Sequence, residues 1–266
     1  MSTPNILLIT KGHPFDRNAF FEVFDAIDVN WTHVEQPAAQ VFFNTSHAKS
    51  YDAFVLYDMP GIDFRDNGAT FEEPNSDYRD AFLDLLRNGK GMVFMHHAIA
   101  GWPAWEEYAE IIGGRFLYVK SQLRGSELPD SGYRHKVNHS LHVTREHPIT
   151  SGLPASFSMT DELYLSEVFD DAIEPLLTSD YEFKRDNFYS AKNAISGRMF
   201  DNEGWQHNDG SNVVAWVKNY ERSPIAYIQG GDDPEAYENI HYRQLLENSI
   251  HWVASQAAHD WANARN

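Results

Sequence analysis

The sequence predicts a doubly wound α/β domain with a mostly parallel sheet and helices on both faces. Continuous apolar runs at residues 6–9, 53–57 and 92–95 have the character of parallel strands buried on both faces. Stretches with apolar residues at helical spacing lie between these runs, and such alternation is typical of a parallel sheet. The length of 266 residues suits one such domain, and we assign residues 1–266 to it.

The helices can be placed from their apolar spacing and their end signals. Phe20, Phe24 and Ile27 recur at helical spacing after the first strand. Asn75 or Ser76 can cap a helix before the strand at 92–95, and a last helix should begin near residue 240.

The second half of the chain is less regular. Residues 141–143 and 157–159 are predicted to be strands at the edge of the sheet, and residues 213–217 and 224–228 to form a hairpin. Residues 181–212 are polar and have few periodic apolar positions, so we interpret them as an insertion or a lid.

Composition excludes several classes of function. The formal net charge is −18 and no basic run is present, so a nucleic-acid partner is not expected. The absence of cysteine excludes disulfides, thiolate metal sites and cysteine catalysis. No apolar run is long enough for a membrane span and no signal peptide is evident, so we expect a cytoplasmic protein without a membrane partner.

Polar side chains follow three of the predicted strands. His13 comes after the first strand, Asp58 after the run at 53–57, and His96 and His97 after the run at 92–95. Because ligands bind at the carboxyl ends of parallel strands, these groups could share one crevice. Each could instead cap a helix or bind a loop.

A second group of candidates lies in the middle of the chain. Asp161 and Glu162 stand beside Tyr164, which suits acid/base chemistry or hydrogen bonds to sugar hydroxyls, although a helix N-terminus would also favour such acids. Trp102 and Tyr164 could stack on a sugar ring. The histidines between 135 and 147 are interpreted as a solvated edge strand, with a metal site of histidine and carboxylate as the alternative.

Several motifs, taken in order, resemble those of the trehalose-utilisation (ThuA-like) family. They are Lys11-Gly12-His13, Gly89-Lys90-Gly91-Met92-Val93-Phe94-Met95-His96-His97-Ala98, Trp105-Glu106-Glu107-Tyr108 with Gly113-Gly114-Arg115-Phe116, His147-Pro148-Ile149-Thr150-Ser151-Gly152-Leu153, Asp161-Glu162-Leu163-Tyr164 and Ile250-His251-Trp252. The family's usual Gly-His near the last strand is replaced here by Gly230-Gly231-Asp232, so the role of that histidine cannot be transferred.

The resemblance implies a class I glutamine amidotransferase-like (flavodoxin-like) fold and a role in carbohydrate metabolism. It also implies that His96 occupies the turn where true amidotransferases carry cysteine, which excludes a glutaminase. Trehalose or a 3-keto-glycoside is the nearest implied substrate class.

The expected function is therefore a sugar-processing enzyme that acts on a disaccharide or 3-keto-glycoside. We expect His96 and Glu162 to be catalytic, and a second set to bind substrate: His13, Asp58, His97, Trp102, Asp161 and Tyr164. Proton transfer beside a carbonyl needs no redox cofactor, so no cofactor is required, although a divalent metal remains open with His96 as its first candidate ligand.

The alternatives are a non-catalytic sugar-binding module and a metal-dependent hydrolase. The expected partner is a small-molecule carbohydrate, and a homo-oligomer is left open. From the sequence we expect His96→Ala to abolish turnover and to change stability by less than about 1 kcal/mol, since a pocket histidine contributes little core packing.

Overall fold

The order of strands and helices follows the predicted alternation in the first half of the chain. The computed structural model describes residues 2–66 and 68–266. The strands within these residues are β1 (Asn5–Lys11), β2 (Asn30–Glu35), β3 (Ala53–Asp58), β4 (Ile62–Arg65), β5 (Gly68–Phe71), β6 (Gly91–Met95), β7 (Gly114–Arg115), β8 (Ser121–Leu123), β9 (Ser126–Leu128), β10 (Gly132–Val143), β11 (Ser156–Leu165), β12 (Glu167–Val168), β13 (Glu174–Ser179), β14 (Tyr189–Ser190), β15 (Val213–Tyr220) and β16 (Ser223–Ile228).

The α-helices of the same residues are α1 (Arg17–Ala26), α2 (Thr45–Ala48), α3 (Ser76–Arg87), α4 (Glu106–Ile112), α5 (Ala191–Ile195), α6 (Pro234–Tyr237), α7 (Ile240–Val253) and α8 (Gln256–Asn263). Short 3-10 helices lie at Ala38–Phe42, His96–Ala100, Pro148–Thr150 and Arg185–Asn187. Asparagine side chains accept backbone N–H bonds at the starts of α3 and α7, from Asn75 and Asn239.

The central sheet has a parallel half and an antiparallel half. Its order is β11-β10-β13-β15-β16-β6-β3-β1-β2, with β14 paired to β10. Neighbouring strands from β2 to β16 run parallel, and those from β16 to β11 run antiparallel. The predicted α/β fold is confirmed, and the three apolar runs lie side by side as β1, β3 and β6.

Helices cover both faces of the sheet because the side chains of each strand alternate. Ile6 and Leu8 of β1 face the core that includes α1 and α7, whereas Leu7 and Ile9 face the core that includes α3 and α4. All four side chains are completely buried. This two-sided burial explains why the strand reads as an uninterrupted apolar run.

The second half of the chain agrees with the predicted strands and adds detail. The hairpin is β15–β16, and the two predicted edge segments belong to β10 and β11, of which β11 forms the edge. Residues 181–212 contain a 3-10 helix, β14 and α5, so part of the predicted insertion is ordered secondary structure. Its role as a lid stays a prediction. Within the described residues, no helix combines the length and the apolar character that crossing a bilayer requires.

Candidate active site

A pocket of about 240 Å³ opens at the carboxyl edge of the parallel half of the sheet. Four polar side chains line it, and we call them the polar floor: His13, His135, Glu162 and Tyr164. Larger apolar or aromatic residues also line it, and we call them the apolar wall: Met59, Phe64, Phe116, Tyr118, Tyr133, Ile195 and Met199. One cavity thus combines polar and apolar lining.

Strand β11 delivers two residues of the polar floor. Side chains alternate along a strand, so Glu162 and Tyr164 point to one face while Asp161 and Leu163 point to the other. Although β11 is the far edge of the sheet, it contacts the segment after β16, because Gln229 Oε1 accepts a bond from the Tyr164 N–H at 3.0 Å. The antiparallel half therefore curls back over the ends of the parallel strands.

A β-bulge in β10 places His135 beside Glu162. The pairing of β10 with β11 shifts register between Arg134 and Val137, and Lys136 adopts a left-handed φ of 52°. Bulges redirect side chains next to functional sites. As a result, His135 Nδ1 lies 3.4 Å from Glu162 Oε1 and 3.6 Å from Asp232 Oδ2.

His96 lies directly behind the polar floor. It begins the 3-10 turn after β6 with a φ of 46°, a conformation that non-glycine residues rarely adopt and that is often found at functional sites. Its Nδ1 donates to the Gln229 carbonyl at 2.7 Å. Its Nε2 lies 3.1 Å from Glu162 Oε2, 2.8 Å from the Tyr164 hydroxyl and 3.4 Å from Asp232 Oδ1. The ring is completely buried and does not line the pocket.

The charges of this cluster compensate one another. Burial lowers the pKa of His96, but Asp232 and Glu162 outweigh it and raise that pKa well above its usual value. Burial raises the pKa of Asp232, but His135 and His96 outweigh it and hold that pKa well below the usual range. Asp232 also raises the pKa of His135. The structure thus supports a cationic His96 beside an ionised Asp232.

His13 and His97 form a second, less charged pair. Their rings stack with centroids 4.9 Å apart, and burial lowers the pKa of both, most strongly that of His97. His13 lines the pocket, and its Nδ1 is 3.9 Å from Asp232 Oδ1. His97 is buried behind His13 and does not line the pocket, so it supports the His13 ring.

Asp161 binds the loop that carries Asp232. Its Oδ2 accepts from the Gly231 N–H at 2.7 Å, and its Oδ1 accepts from the N–H groups of Asp232 at 3.1 Å and Glu162 at 2.9 Å. A Cβ at Gly231, whose φ is 116°, would lie 2.2 Å from the Tyr242 hydroxyl oxygen, so only glycine permits this close approach. Burial raises the pKa of Asp161 to about 7. Asp161 is a positioning group that does not line the pocket.

Two predicted binding residues lie away from the pocket. Asp58 is buried at the end of β3, where its Oδ2 accepts from Gln36 Nε2 at 2.9 Å. Trp102 is buried, packs with Tyr78 at a ring distance of 5.7 Å, and offers its carbonyl to Arg115. Neither residue lines the pocket, so the expected contacts of Asp58 and Trp102 with substrate are not found there. Both face the core because the chain turns at these strand ends.

Two members of the cluster are not among the predicted site residues. The sequence around His135 predicts a solvated strand, because nothing in it marks the bulge that turns His135 inward. Asp232 ends an apolar strand with Gly230 and Gly231, which predicts a rim of the pocket but no role for its side chain. The Gly-Gly pair before it, at the end of an apolar strand, was the available signal that this loop approaches another group closely.

The cluster also has the donor set of a metal site. His13, Glu162 and Asp232 each offer one ligand atom, and these atoms lie within 4.8 Å of one another. Imidazole and carboxylate donors suit first-row divalent metals, and three protein ligands leave a position open for water or substrate. His96, which we expected as the first ligand, is not in this set, because both of its ring nitrogens contact protein groups.

Comparison with known proteins identifies the family. The model of the trehalose-utilisation family, ThuA, matches residues 8–253. The chain belongs to this family. A search of the curated proteins found no match.

Several solved structures share the fold, and two of them are of ThuA-like proteins. One from Parabacteroides merdae has 18% identity and a TM-score of 0.64, and the match covers 96% of this chain and 91% of that one. Another from Bacteroides uniformis has 19% identity and a TM-score of 0.58, covering 96% and 94%. A cytoplasmic protein from Salmonella typhimurium LT2 has 12% identity and a TM-score of 0.54, covering 94% and 99%.

Proposed function

We propose that this ThuA-family protein is a cytoplasmic sugar-processing enzyme in which Glu162 exchanges a proton with a disaccharide or 3-keto-glycoside. The observation that carries the proposal is the pair of imidazoles on the two oxygens of Glu162. His96 lies 3.1 Å from Oε2 and His135 lies 3.4 Å from Oε1. A pocket carboxylate flanked by proton donors is suited to general acid/base catalysis.

The geometry changes the role that we give to His96. A buried imidazole with no pocket surface cannot touch a substrate, so His96 orients Glu162 through their contact at 3.1 Å. Glu162, His135 and His13 reach the pocket and are available to the substrate. Tyr164 can donate its hydroxyl proton near the same place.

Proton transfer beside a carbonyl is the chemistry that this set serves best. Glu162 would take a proton from the carbon next to a sugar ketone, and that C–H electron pair would form the double bond of an enol. The carbonyl oxygen would take a proton from His135, so charge stays balanced. An isomerase or lyase reaction of a keto-glycoside can begin in this way, without a redox cofactor.

The test is hydrogen exchange and turnover on a panel of disaccharides and their 3-keto derivatives, followed in D₂O by NMR. We expect the wild type to exchange or convert at least one panel member. Glu162→Gln should lose about 10²–10⁴-fold in rate, the range for loss of a general acid or base. The control Glu127→Gln, at an exposed site paired with Lys120, should keep full activity.

Two results would contradict this proposal. Full activity of Glu162→Gln would exclude Glu162 as the acid/base, and sugar binding without exchange or conversion would support a non-catalytic binding module.

A metal-dependent hydrolase is the second candidate, favoured by the ligand atoms of His13, Glu162 and Asp232. Metal analysis of the purified protein and activity after chelation separate it from the first. Loss of activity with EDTA and its return with one divalent metal would support the hydrolase, and unchanged activity would support acid/base catalysis alone.

A further inference from the structure

Large exposed hydrophobic side chains are concentrated at the mouth of the pocket. Within the described residues, five large hydrophobic side chains are exposed, and three of them stand here: Phe64 at 47%, Met199 at 52% and Phe200 at 57%. We call these three the hydrophobic rim. Phe64 and Met199 line the pocket, and the Phe200 ring is 5.9 Å from the His135 ring. Exposed apolar groups clustered at one site usually mark a binding surface.

The rim is held in place by specific contacts. Phe200 adopts a left-handed φ of 59°, which is unfavourable for an aromatic residue. The strain is sustained because the Phe200 N–H donates to the Tyr133 hydroxyl at 2.8 Å. Phe64 is positioned by the β4–β5 hairpin and packs near Tyr118, with ring centroids 6.1 Å apart. Two separate segments thus present aromatic rings to solvent at one opening.

Within the described residues, the hydroxyls of the apolar wall already have protein partners. The Tyr118 hydroxyl donates to Met59 Sδ at 2.7 Å. The Tyr133 hydroxyl accepts from the Phe200 N–H at 2.8 Å and donates to Met199 Sδ at 3.8 Å. A sugar hydroxyl buried here without a partner would cost about 1–3 kcal/mol. A disaccharide has hydroxyls on both rings, so its second ring is poorly matched to the apolar wall and the rim.

The volume limits what can enter. A cavity of about 240 Å³ exceeds the ~150 Å³ cavity that holds benzene, but it is below the ~300–1,000 Å³ of pockets for drug-sized ligands. One sugar ring can therefore lie inside, with its polar edge on the polar floor. The group attached to that ring must extend through the mouth and contact the hydrophobic rim.

We propose that the substrate is a glycoside whose attached group is apolar, an aryl or alkyl aglycone that packs on Phe64, Met199 and Phe200. This inference rests on the proposed sugar-processing function and specifies its substrate class. The aglycone supplies apolar area that leaves water on binding, whereas the sugar supplies the hydrogen bonds at the floor.

The test compares three ligands that share a glucosyl ring: phenyl glucoside, methyl glucoside and trehalose. Dissociation constants are measured by calorimetry with Glu162→Gln, so that binding is separated from turnover. We expect phenyl glucoside to bind at least about tenfold more tightly than the other two, a difference of about 1.4 kcal/mol.

Substitutions in the hydrophobic rim test whether the rim causes the preference for phenyl glucoside. Phe64→Ser and Phe200→Ser should each reduce the phenyl-to-methyl ratio several-fold and leave the affinity for methyl glucoside unchanged. The control variants Val41→Ser and Ile240→Ser alter equally exposed hydrophobic residues that do not line the pocket, and they should leave the ratio unchanged.

The outcomes separate this inference from the proposed function. Tight binding of phenyl glucoside that depends on the rim, without turnover of any glycoside or keto-glycoside, would support the rim and contradict catalysis. Turnover with equal affinity for all three ligands would support catalysis and overturn the inference. A dimer that dissociates in Phe64→Ser and Phe200→Ser, with no preference for phenyl glucoside, would identify the rim as a contact between copies and would also overturn it.

Discussion

Two strand ends of the same parallel sheet bury carboxyl groups in opposite ways. At the end of β3, Asp58 has one hydrogen-bond donor, Gln36, and its Oδ1 has no partner, so burial raises its pKa to about 7. Beyond the end of β16, Asp232 lies beside His96 and His135 and its pKa is lowered. Burial alone therefore favours the neutral acid, whereas adjacent imidazoles keep a carboxylate charged. The second arrangement reaches the pocket through His135.

The largest effect is expected from His96→Ala, which removes the cationic imidazole beside Asp232. This imidazole also lies beside Glu162, and His135 would be the remaining imidazole next to these two carboxyl groups. Loss of one partner of a buried ion pair typically costs about 3–5 kcal/mol, and we expect this loss of unfolding free energy together with a fall in turnover of at least about 10²-fold. Urea unfolding and a rate assay on the responding glycoside measure both.

This expectation replaces the small stability change predicted from the sequence. A matched control is His139→Ala, because His139 is also buried but bonds only to Ser179 outside the cluster. The control should lose stability through its one hydrogen bond and its packing, and keep its turnover. Unchanged stability in His96→Ala would mean that the two carboxylates do not depend on the imidazole for their charge.

The next prediction concerns Asp58 and the dependence of the free energy of unfolding on pH. The folded-state pKa of Asp58 is raised from 3.8 to about 7, so the native state holds its proton longer than the unfolded chain does. The contribution of Asp58 to the free energy of unfolding is therefore largest below pH 4, falls as pH rises from 4 to 7, and levels off above 7. At 1.36 kcal/mol per pKa unit, the total loss from Asp58 is about 4 kcal/mol.

Asp58→Asn should remove this dependence. An amide keeps an oxygen for Gln36 and has no charge to bury, so the variant should be more stable than the wild type at pH 8 and nearly equal to it at pH 4. Urea unfolding at the two pH values provides the measurement. Asp209→Asn, at an exposed loop position, is the control and should change neither value. A less stable Asp58→Asn protein at pH 8 would show that the Asp58 carboxylate is compensated in a way that its neighbours do not reveal.

The parallel half of the fold could be predicted because each of its strands is recognisable from a single short segment of the sequence. A strand buried on both faces is an apolar run, and the polar residue that follows it marks the edge of the sheet, as at His13 and His96. The antiparallel half could not be placed, because the contact of Glu162 with His96 joins residues 66 positions apart and depends on how the sheet curls. The pair of acids beside Tyr164 indicated Glu162 as a candidate, but no local pattern predicted its distance from His96.

The missed residues have a similar physical explanation. His135 reaches the pocket through a bulge, and a bulge depends on the pairing of two strands rather than on one of them. Asp58 was predicted in the site because it ends a strand, but alternate side chains at a strand end face opposite sides. Its neighbour Tyr57 packs on His97, with ring centroids 4.2 Å apart, and Asp58 points away.

The smallest effect is expected from Asp161→Asn, which makes the same substitution at a second buried aspartate. Asp161 and Asp58 share full burial and a pKa of about 7, but Asp161 accepts three backbone N–H bonds with both of its oxygens. Asparagine has one carbonyl oxygen, so its NH₂ group would face the N–H of Gly231 or those of Asp232 and Glu162. Leaving a buried donor unsatisfied costs about 1–3 kcal/mol, which offsets part of the gain from removing a buried carboxylate. Asp161→Asn should therefore be stabilised at pH 8 by less than Asp58→Asn is.

The effect of Asp161→Asn on the loop that carries Asp232 distinguishes a positioning role of Asp161 from a purely structural one. Because Asp161 fixes the backbone of Asp232, its loss should displace Asp232 from His96 and His135 and lower kcat more than it raises KM. Urea unfolding and steady-state rates on the responding glycoside measure the two parts, with Asp209→Asn again as control. An Asp161→Asn protein that is stabilised as much as Asp58→Asn and keeps its kcat would show that burial alone, rather than the hydrogen bonds to the loop, governs this aspartate as it governs Asp58.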